Sequence, residues 1–451
     1  MNRNNSGSSQ SRQQTGRQYN HSAGENGRYS GPGGRGRQDA GRQSGYSQAR
    51  RKKKINTRNL AILIIILAVG SIGVFGIQFW MNRGSSTEAD TQTAEQSSES
   101  ETVPEQAAAP TDEEKKTAKA ASLISSMSQD EKIGQLFLAR VPESGAIDDI
   151  TTYKLGGYLI FGRDVEGETT DSFKAKVQSW QDAASTPMLI ASDEEGGTVT
   201  RVSYGDGMVG TAFASPQDLY AQGGLDAIAA DTKIKSGILK NLGINVNLAP
   251  VADVAEDPNS FMYDRTLGQD AQGEAEYVKT VVENMQGTGV GSCLKHFPGY
   301  GENGDSHTDI IHDTRDLDHF ETIDFIPFKA GIDAGAGSVL ISHNIAEAID
   351  ADEPASLSPA VHQVLRDELG FNGVIITDDF DMAGLADYTD QNTAAVDTIN
   401  AGSDLIISSS YAAQISAVSD AVNNGTISED TLEAAVAKVL KWKMDLGLIS
   451  Y

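Results

Sequence analysis

Cysteine is all but missing from this chain: Cys293 stands alone among 451 residues. No disulfide can form within one chain, so whatever folds here is held by an apolar core even in an oxidising compartment. Positive charge is also scarce, with 36 Lys and Arg against 63 Asp and Glu for a formal net charge of −27. The scarcity is uneven. Residues 1–58 carry thirteen Lys and Arg and two acids, Glu25 and Asp39, a net +11 that leaves −38 for the remainder.

What residues 1–58 lack is aliphatic side chains. A stretch of Gly, Ser, Gln, Asn and Arg cannot bury enough apolar surface to offset the entropy of folding, which predicts a disordered basic tail. A Gly/Arg-rich segment with scattered Tyr is also compatible with nucleic-acid binding; a solvated cytoplasmic tail is the simpler reading, and no nucleic-acid partner is expected. What residues 59–81 lack is charge. The run NLAILIIILAVGSIGVFGIQFWM has the length of a membrane-crossing helix. Its position behind a long tail sets it apart from a cleaved signal peptide. Arg50, Arg51, Lys52, Lys53, Lys54 and Arg58 crowd its N-terminal flank, while only Arg83 precedes an acidic run on the other. The positive-inside rule therefore puts the N-terminus in the cytoplasm and the rest outside the cell, in a single-pass membrane protein.

Residues 82–112 place Glu88, Asp90, Glu95, Glu99, Glu101, Glu105 and Asp112 among Ser, Thr, Gln and Ala, a composition that stays extended and hydrated. It reads as a tether, or simply as a spacer. From residue 113 to 451 short apolar runs alternate with amphipathic stretches. The runs begin near Leu136, Gly157, Pro187, Ile244, Gly291, Ser338, Gly373 and Asp404, eight in all. Helical patterns lie between them at 215–240, 269–287, 359–369 and 412–424, with a closing helix from Thr431. Eight β-α repeats predict one α/β (β/α)8 TIM-type barrel, whose chemistry gathers where strands end. A doubly wound open sheet is the alternative.

Unusual polar groups fall at those ends. The fifth run leads into Lys295-His296-Phe297-Pro298-Gly299-Tyr300-Gly301, followed by Asp305-Ser306-His307. The glycines make this stretch pliable, and a carboxylate two residues from an imidazole can hold its tautomer and make His307 a proton shuttle. The seventh run ends at Thr377-Asp378-Asp379-Phe380-Asp381, the third at Asp193-Glu194-Glu195-Gly196-Gly197, and the insertion after the fourth carries Arg265. One barrel mouth would then hold several acids, Lys295 and Arg265. His307, Asp309, His312 and Asp313 also raise a metal hydrolase, but the spacing differs from the i, i+4 pair of a helical zinc site, and neither metal nor cofactor is expected.

SMSQDEKIGQLF, SDEEGGTVTRV, INVNLAPVADV, DRTLG, CLKHFPGYG with DSH, and VIITDDFDM resemble, in order over residues 113–451, the motifs of glycoside hydrolase family 3, in particular its N-acetylglucosaminidase branch. The resemblance implies Asp378 as nucleophile, His307 as general acid/base and Asp305 as the group that orients it. It further implies that Asp193, Arg265, Lys295 and His296 bind the sugar hydroxyls, with His343, at the end of the sixth run, as a further substrate-binding residue. Tyr300 stands where many members have His, and the loop from Gly301 to Asp305 is slightly shorter than in the better-known members. The implied activity is a retaining β-N-acetylhexosaminidase that removes terminal N-acetylglucosamine from peptidoglycan-derived or related glycans, with no obligate protein partner. The rivals are a β-glucosidase or β-xylosidase of the same superfamily, which typically take their acid/base from a second domain after the barrel, a phosphorylase, and a non-catalytic glycan-binding ectodomain.

Overall fold

The eight apolar runs all become strands of one parallel sheet, described in a computed structural model over residues 109–203, 208–210, 212–304 and 310–451. The expected tail 1–58, membrane span 59–81 and nearly all of the linker 82–112 lie outside the described residues. Among the described residues no helix is long and apolar enough to cross a membrane.

The strands are β1 Phe137–Arg140, β2 Gly157–Ile160, β3 Leu189–Ser192, β4 Val246–Asn247, β5 Cys293–Phe297, β6 Ser338–Ile341, β7 Val374–Asp379 and β8 Leu405–Ser408. Their ladder order is β4-β3-β2-β1-β8-β7-β6-β5, every pair parallel. The two ends of that order meet. Asn247 N donates to Gly291 O at 2.9 Å, Cys293 N to Ala249 O at 2.9 Å and Ala252 N to Lys295 O at 2.7 Å, so β4 and β5 are stitched by bridges too irregular to count as a ladder. The sheet is a nearly closed barrel, as the eightfold repeat predicts. Most strands are buried on both faces, which is why the runs read as continuous apolar stretches without alternation.

The helices start where side chains can cap them. Ser215 caps Pro216–Leu242, Asp270 caps Ala271–Met285 and Ser428 caps the closing helix Glu429–Asp445, each accepting an otherwise orphaned backbone N–H. The first described helix, Asp112–Ser126, opens on a reciprocal capping box between Thr111 and Glu114. That helix is tied to the closing one by Lys116–Asp445 and Lys441–Glu113 ion pairs.

Inside the barrel Leu138, Leu159, Leu189, Val246, Leu340 and Ile376 form one apolar cluster, which Trp442 of the closing helix joins from below. Gly291 and Gly337, just ahead of β5 and β6, make that possible: a Cβ on either would come within 2.9 Å and 2.4 Å of the indole. With the N-terminal end plugged, the opposite mouth is left for chemistry.

Candidate active site

A cavity of about 600 Å³ opens at the C-terminal mouth of the barrel. Its wall includes Asp193 and Glu195 just past β3, Arg265 from the insertion after β4, Lys295 and His296 on β5, and Asp378 and Asp379 at the end of β7. In a regular strand successive side chains point to opposite faces. Here both Lys295 and His296 reach the cavity, because the β5–β6 register shifts between Leu294 and Phe297.

These residues form a continuous chain of contacts. Lys295 Nζ lies 2.7 Å from Asp193 Oδ1 and 2.7 Å from Glu195 Oε1. Arg265 grips Glu195 with two bonds, Nε to Oε2 at 2.9 Å and Nη2 to Oε1 at 2.7 Å, the fork geometry that makes such pairs strong. Arg265 Nη2 also lies 3.3 Å from His296 Nε2, and His296 Nδ1 lies 2.8 Å from Asp253 Oδ2. A guanidinium can only donate. Nε2 is therefore the acceptor, and the ring carries its proton on Nδ1, donated to Asp253. The backbone N–H groups of His296 and Tyr300 add two further bonds to Asp253, and the Tyr300 ring packs edge-on to the imidazole at 5.2 Å.

Charge follows from this geometry. Burial works to raise the Glu195 carboxyl, but Arg265 and Lys295 outweigh it and hold it well below the usual range. Asp193 is likewise held down, by Lys295 and Arg201 against burial. Lys295 is pulled down by burial and pushed above its ordinary value by the two acids. Asp193, Glu195, Arg265 and Lys295 thus present mutually stabilised charges along the wall of the cavity.

Residues 128–442 match the family model described as the N-terminal domain of glycosyl hydrolase family 3. The chain belongs to glycoside hydrolase family 3. Over 340 residues, 66% of its length, it is 30% identical to beta-hexosaminidase A of Pseudoalteromonas piscicida. It is 35% identical over 238 residues, 51% of its length, to the beta-hexosaminidase of Xanthomonas campestris pv. campestris strain B100. The chain spans 54% of the first relative and 69% of the second. The family 3 beta-N-acetylglucosaminidase from Paenibacillus sp. str. FPU-7 superposes with a TM-score of 0.68 at 29% identity, covering 72% of this chain and 63% of that one.

On the far wall of this family 3 barrel, Asp378 Oδ1 accepts the Asp379 N–H at 2.9 Å, which orients the carboxylate. Asp379 itself is pushed up to about 6 by burial, against the backbone N–H of Asp381 and the Arg140 guanidinium. Arg140 and Arg201 both lie over the Phe161 ring, at 4.3 Å and 5.4 Å from its centre. His343 does not line the cavity. It is buried behind it, with Nδ1 2.7 Å from Ser356 Oγ and Nε2 3.1 Å from Asp379 O, where it steadies the backbone beside Asp378.

Five of the residues expected to act together, Asp193, Arg265, Lys295, His296 and Asp378, share one cavity. Asp305 and His307 lie outside the described residues, as does Asp309. Of the other two residues in the metal-like cluster, His312 bonds Glu347 and Asp313 bonds Arg315. Sequence reasoning missed Arg140 and Asp253 and gave no role to Glu195 or Arg201. A signal existed: Arg140 ends the first run, and Asp253 lies six residues beyond β4, the same strand-end position that drew attention to the third, fifth and seventh runs.

Proposed function

We propose that this family 3 chain is a retaining β-N-acetylhexosaminidase acting on terminal β-linked N-acetylglucosamine. The observation that carries the reading is Asp378: a carboxylate oriented by a backbone N–H on one wall of a cavity that also holds the Asp193–Lys295–Glu195–Arg265 ion-pair lattice. Carboxylates accept from sugar hydroxyls, while Lys295 and Arg265 donate to them, so the lattice suits a polyhydroxylated ring. The named activities of the Pseudoalteromonas, Xanthomonas and Paenibacillus proteins support the same reading.

In this mechanism Asp378 attacks the anomeric carbon while His307, oriented by Asp305, protonates the leaving oxygen. Water then hydrolyses the glycosyl-enzyme with His307 as base, and two displacements restore the β-configuration. The proposed substrate is a peptidoglycan-derived or related glycan. It would be met outside the cell by a barrel held on the acidic linker 82–112 and the span 59–81, with the tail 1–58 in the cytoplasm; the charge asymmetry about residues 59–81 supports that topology. Asp378→Asn is expected to abolish turnover of an aryl β-N-acetylglucosaminide while leaving the melting temperature in place. Turnover at the wild-type rate in that variant would remove Asp378 as nucleophile.

A further inference from the structure

Three carboxylates, Asp378, Asp379 and Asp381, crowd the end of β7. Uncharged groups hold one side of this turn. Asp381 Oδ2 accepts the Ser409 N–H at 3.2 Å, just past β8, and Asp381 Oδ1 accepts from Gln391 Nε2 at 3.3 Å, an amide that also donates to Phe380 O at 2.9 Å. Asp379 Oδ1 accepts the Asp381 N–H at 3.0 Å and folds the turn back on itself. Among the described residues only Arg140 forms an ion pair with any of the three acids. From the end of β1 it reaches past β8 and puts Nη1 3.5 Å from Asp379 Oδ2 and 3.4 Å from Asp381 Oδ2.

Arg140 is not a saturated clamp. Both carboxylate contacts are made by Nη1, and Nε is buried with no hydrogen bond among the described residues, whereas Arg265 forks onto Glu195 with two. The guanidinium lies instead over the Phe161 ring, directly after β2 and 4.3 Å from its centre. A buried donor left unbonded lowers stability, so hydrogen bonding does not account for this side chain. Charge does: like charges this close disfavour one another's ionised forms unless a cation stands among them. The other charged groups around the ring are engaged elsewhere, Arg201 with Asp193 and Asp164 with the Phe161 N–H.

We propose that Arg140 is a positioning residue for the nucleophile, acting through Asp379 and Asp381 to hold the end of β7 in place and to balance the charge beside Asp378. This rests on the reading of Asp378 as nucleophile. The link is short. The Asp379 N–H is the donor that orients Asp378 Oδ1, and a displacement of about 1 Å at a reacting group can cost on the order of 100-fold in rate. Carboxylates that lose their counter-charge also keep protons to higher pH, and neighbouring ones titrate as a group. A protonated carboxyl does not attack.

The test uses the full chain, with Arg140→Met, which keeps an unbranched stem over Phe161 without the charge, Arg140→Lys, which restores the charge, and Asp378→Asn alongside wild type. kcat/KM is followed across pH on 2,4-dinitrophenyl β-N-acetylglucosaminide, whose leaving oxygen needs no proton, so the acid limb reports the carboxylates on the nucleophile side. Arg140→Met is expected to move that limb up by about one pH unit and to lower the plateau on the order of 100-fold. Arg140→Lys is expected to return the limb to its wild-type position and to recover part of the rate. Should Arg140→Met not fold, Arg140→Gln is read in the same way. A loss equal at every pH, with the limb in place, would make Arg140 a structural or sugar-binding residue, and no loss would also overturn the proposal. Wild-type turnover by Asp378→Asn would bring down the nucleophile reading and this role with it. An inactive Asp378→Asn beside Arg140 variants that keep the wild-type limb would bring down the positioning role alone.

Discussion

At the scale of single residues, Glu195 and its neighbour Glu194 show how one turn can place two identical side chains in opposite electrostatic states. Glu195 is held ionised by Arg265 and Lys295. Breaking a buried pair of this kind typically costs about 3–5 kcal/mol, because the partner charges are left uncompensated. Glu195→Gln is therefore expected to lower stability by a few kcal/mol in denaturant titration and to cut kcat/KM on the order of 100-fold, since Lys295 and Arg265 lose their common anchor. Glu194 is buried, and among the described residues no cation forms an ion pair with it. Burial pushes it up to about 7, against the N–H groups of Val202 and Arg201. A raised carboxyl means that the folded state keeps a proton the unfolded chain releases, so its stability contribution is full below about 4.5 and is lost as pH rises through about 7. Glu194→Gln removes that exchange. Its stability relative to wild type should improve between about pH 5 and pH 8, by up to ~3 kcal/mol, and a difference that stays flat with pH would show that Glu194 does not titrate in this window.

At the scale of elements, all eight strands were legible because most are buried on both faces and so read as unbroken apolar runs. The helices between them were legible from their period, and several begin at Ser, Thr or Asp caps. The strand-end rule located Asp193, Lys295, His296 and Asp378 for the same reason. What it did not reveal depends on irregularity. The β5 register shift that brings two consecutive side chains to one cavity leaves no mark in a hydropathy pattern, and Asp253 reaches His296 from a loop after a strand only two residues long. The resemblance put His343 among the substrate-binding residues, yet it is buried behind the cavity wall with Nδ1 2.7 Å from Ser356 Oγ. The plug is another tertiary feature, since Trp442 reads in sequence as one more apolar position on the closing helix. Trp442→Ala should cost about 3–5 kcal/mol, seen as a lower melting temperature with kcat unchanged, because the plug and the catalytic mouth are at opposite ends of the barrel.

At the scale of the whole molecule, the described barrel accounts for the family 3 character of residues 128–442, while the basic tail and uncharged run at 1–81 carry the proposal of a surface-anchored enzyme. That proposal predicts that the full chain sediments with membranes and resists extraction by high salt, as a hydrophobic anchor does and an electrostatic one does not. Release by salt alone would contradict it. The central claim is the activity. Its most direct test is the initial rate of the full chain on a paired chromogenic β-N-acetylglucosaminide and β-glucoside, with His307→Ala measured beside wild type. The account predicts clear preference for the N-acetyl sugar and a loss of about 10²–10⁴-fold in the variant. Preference for the glucoside, or a rate indifferent to His307, would contradict it.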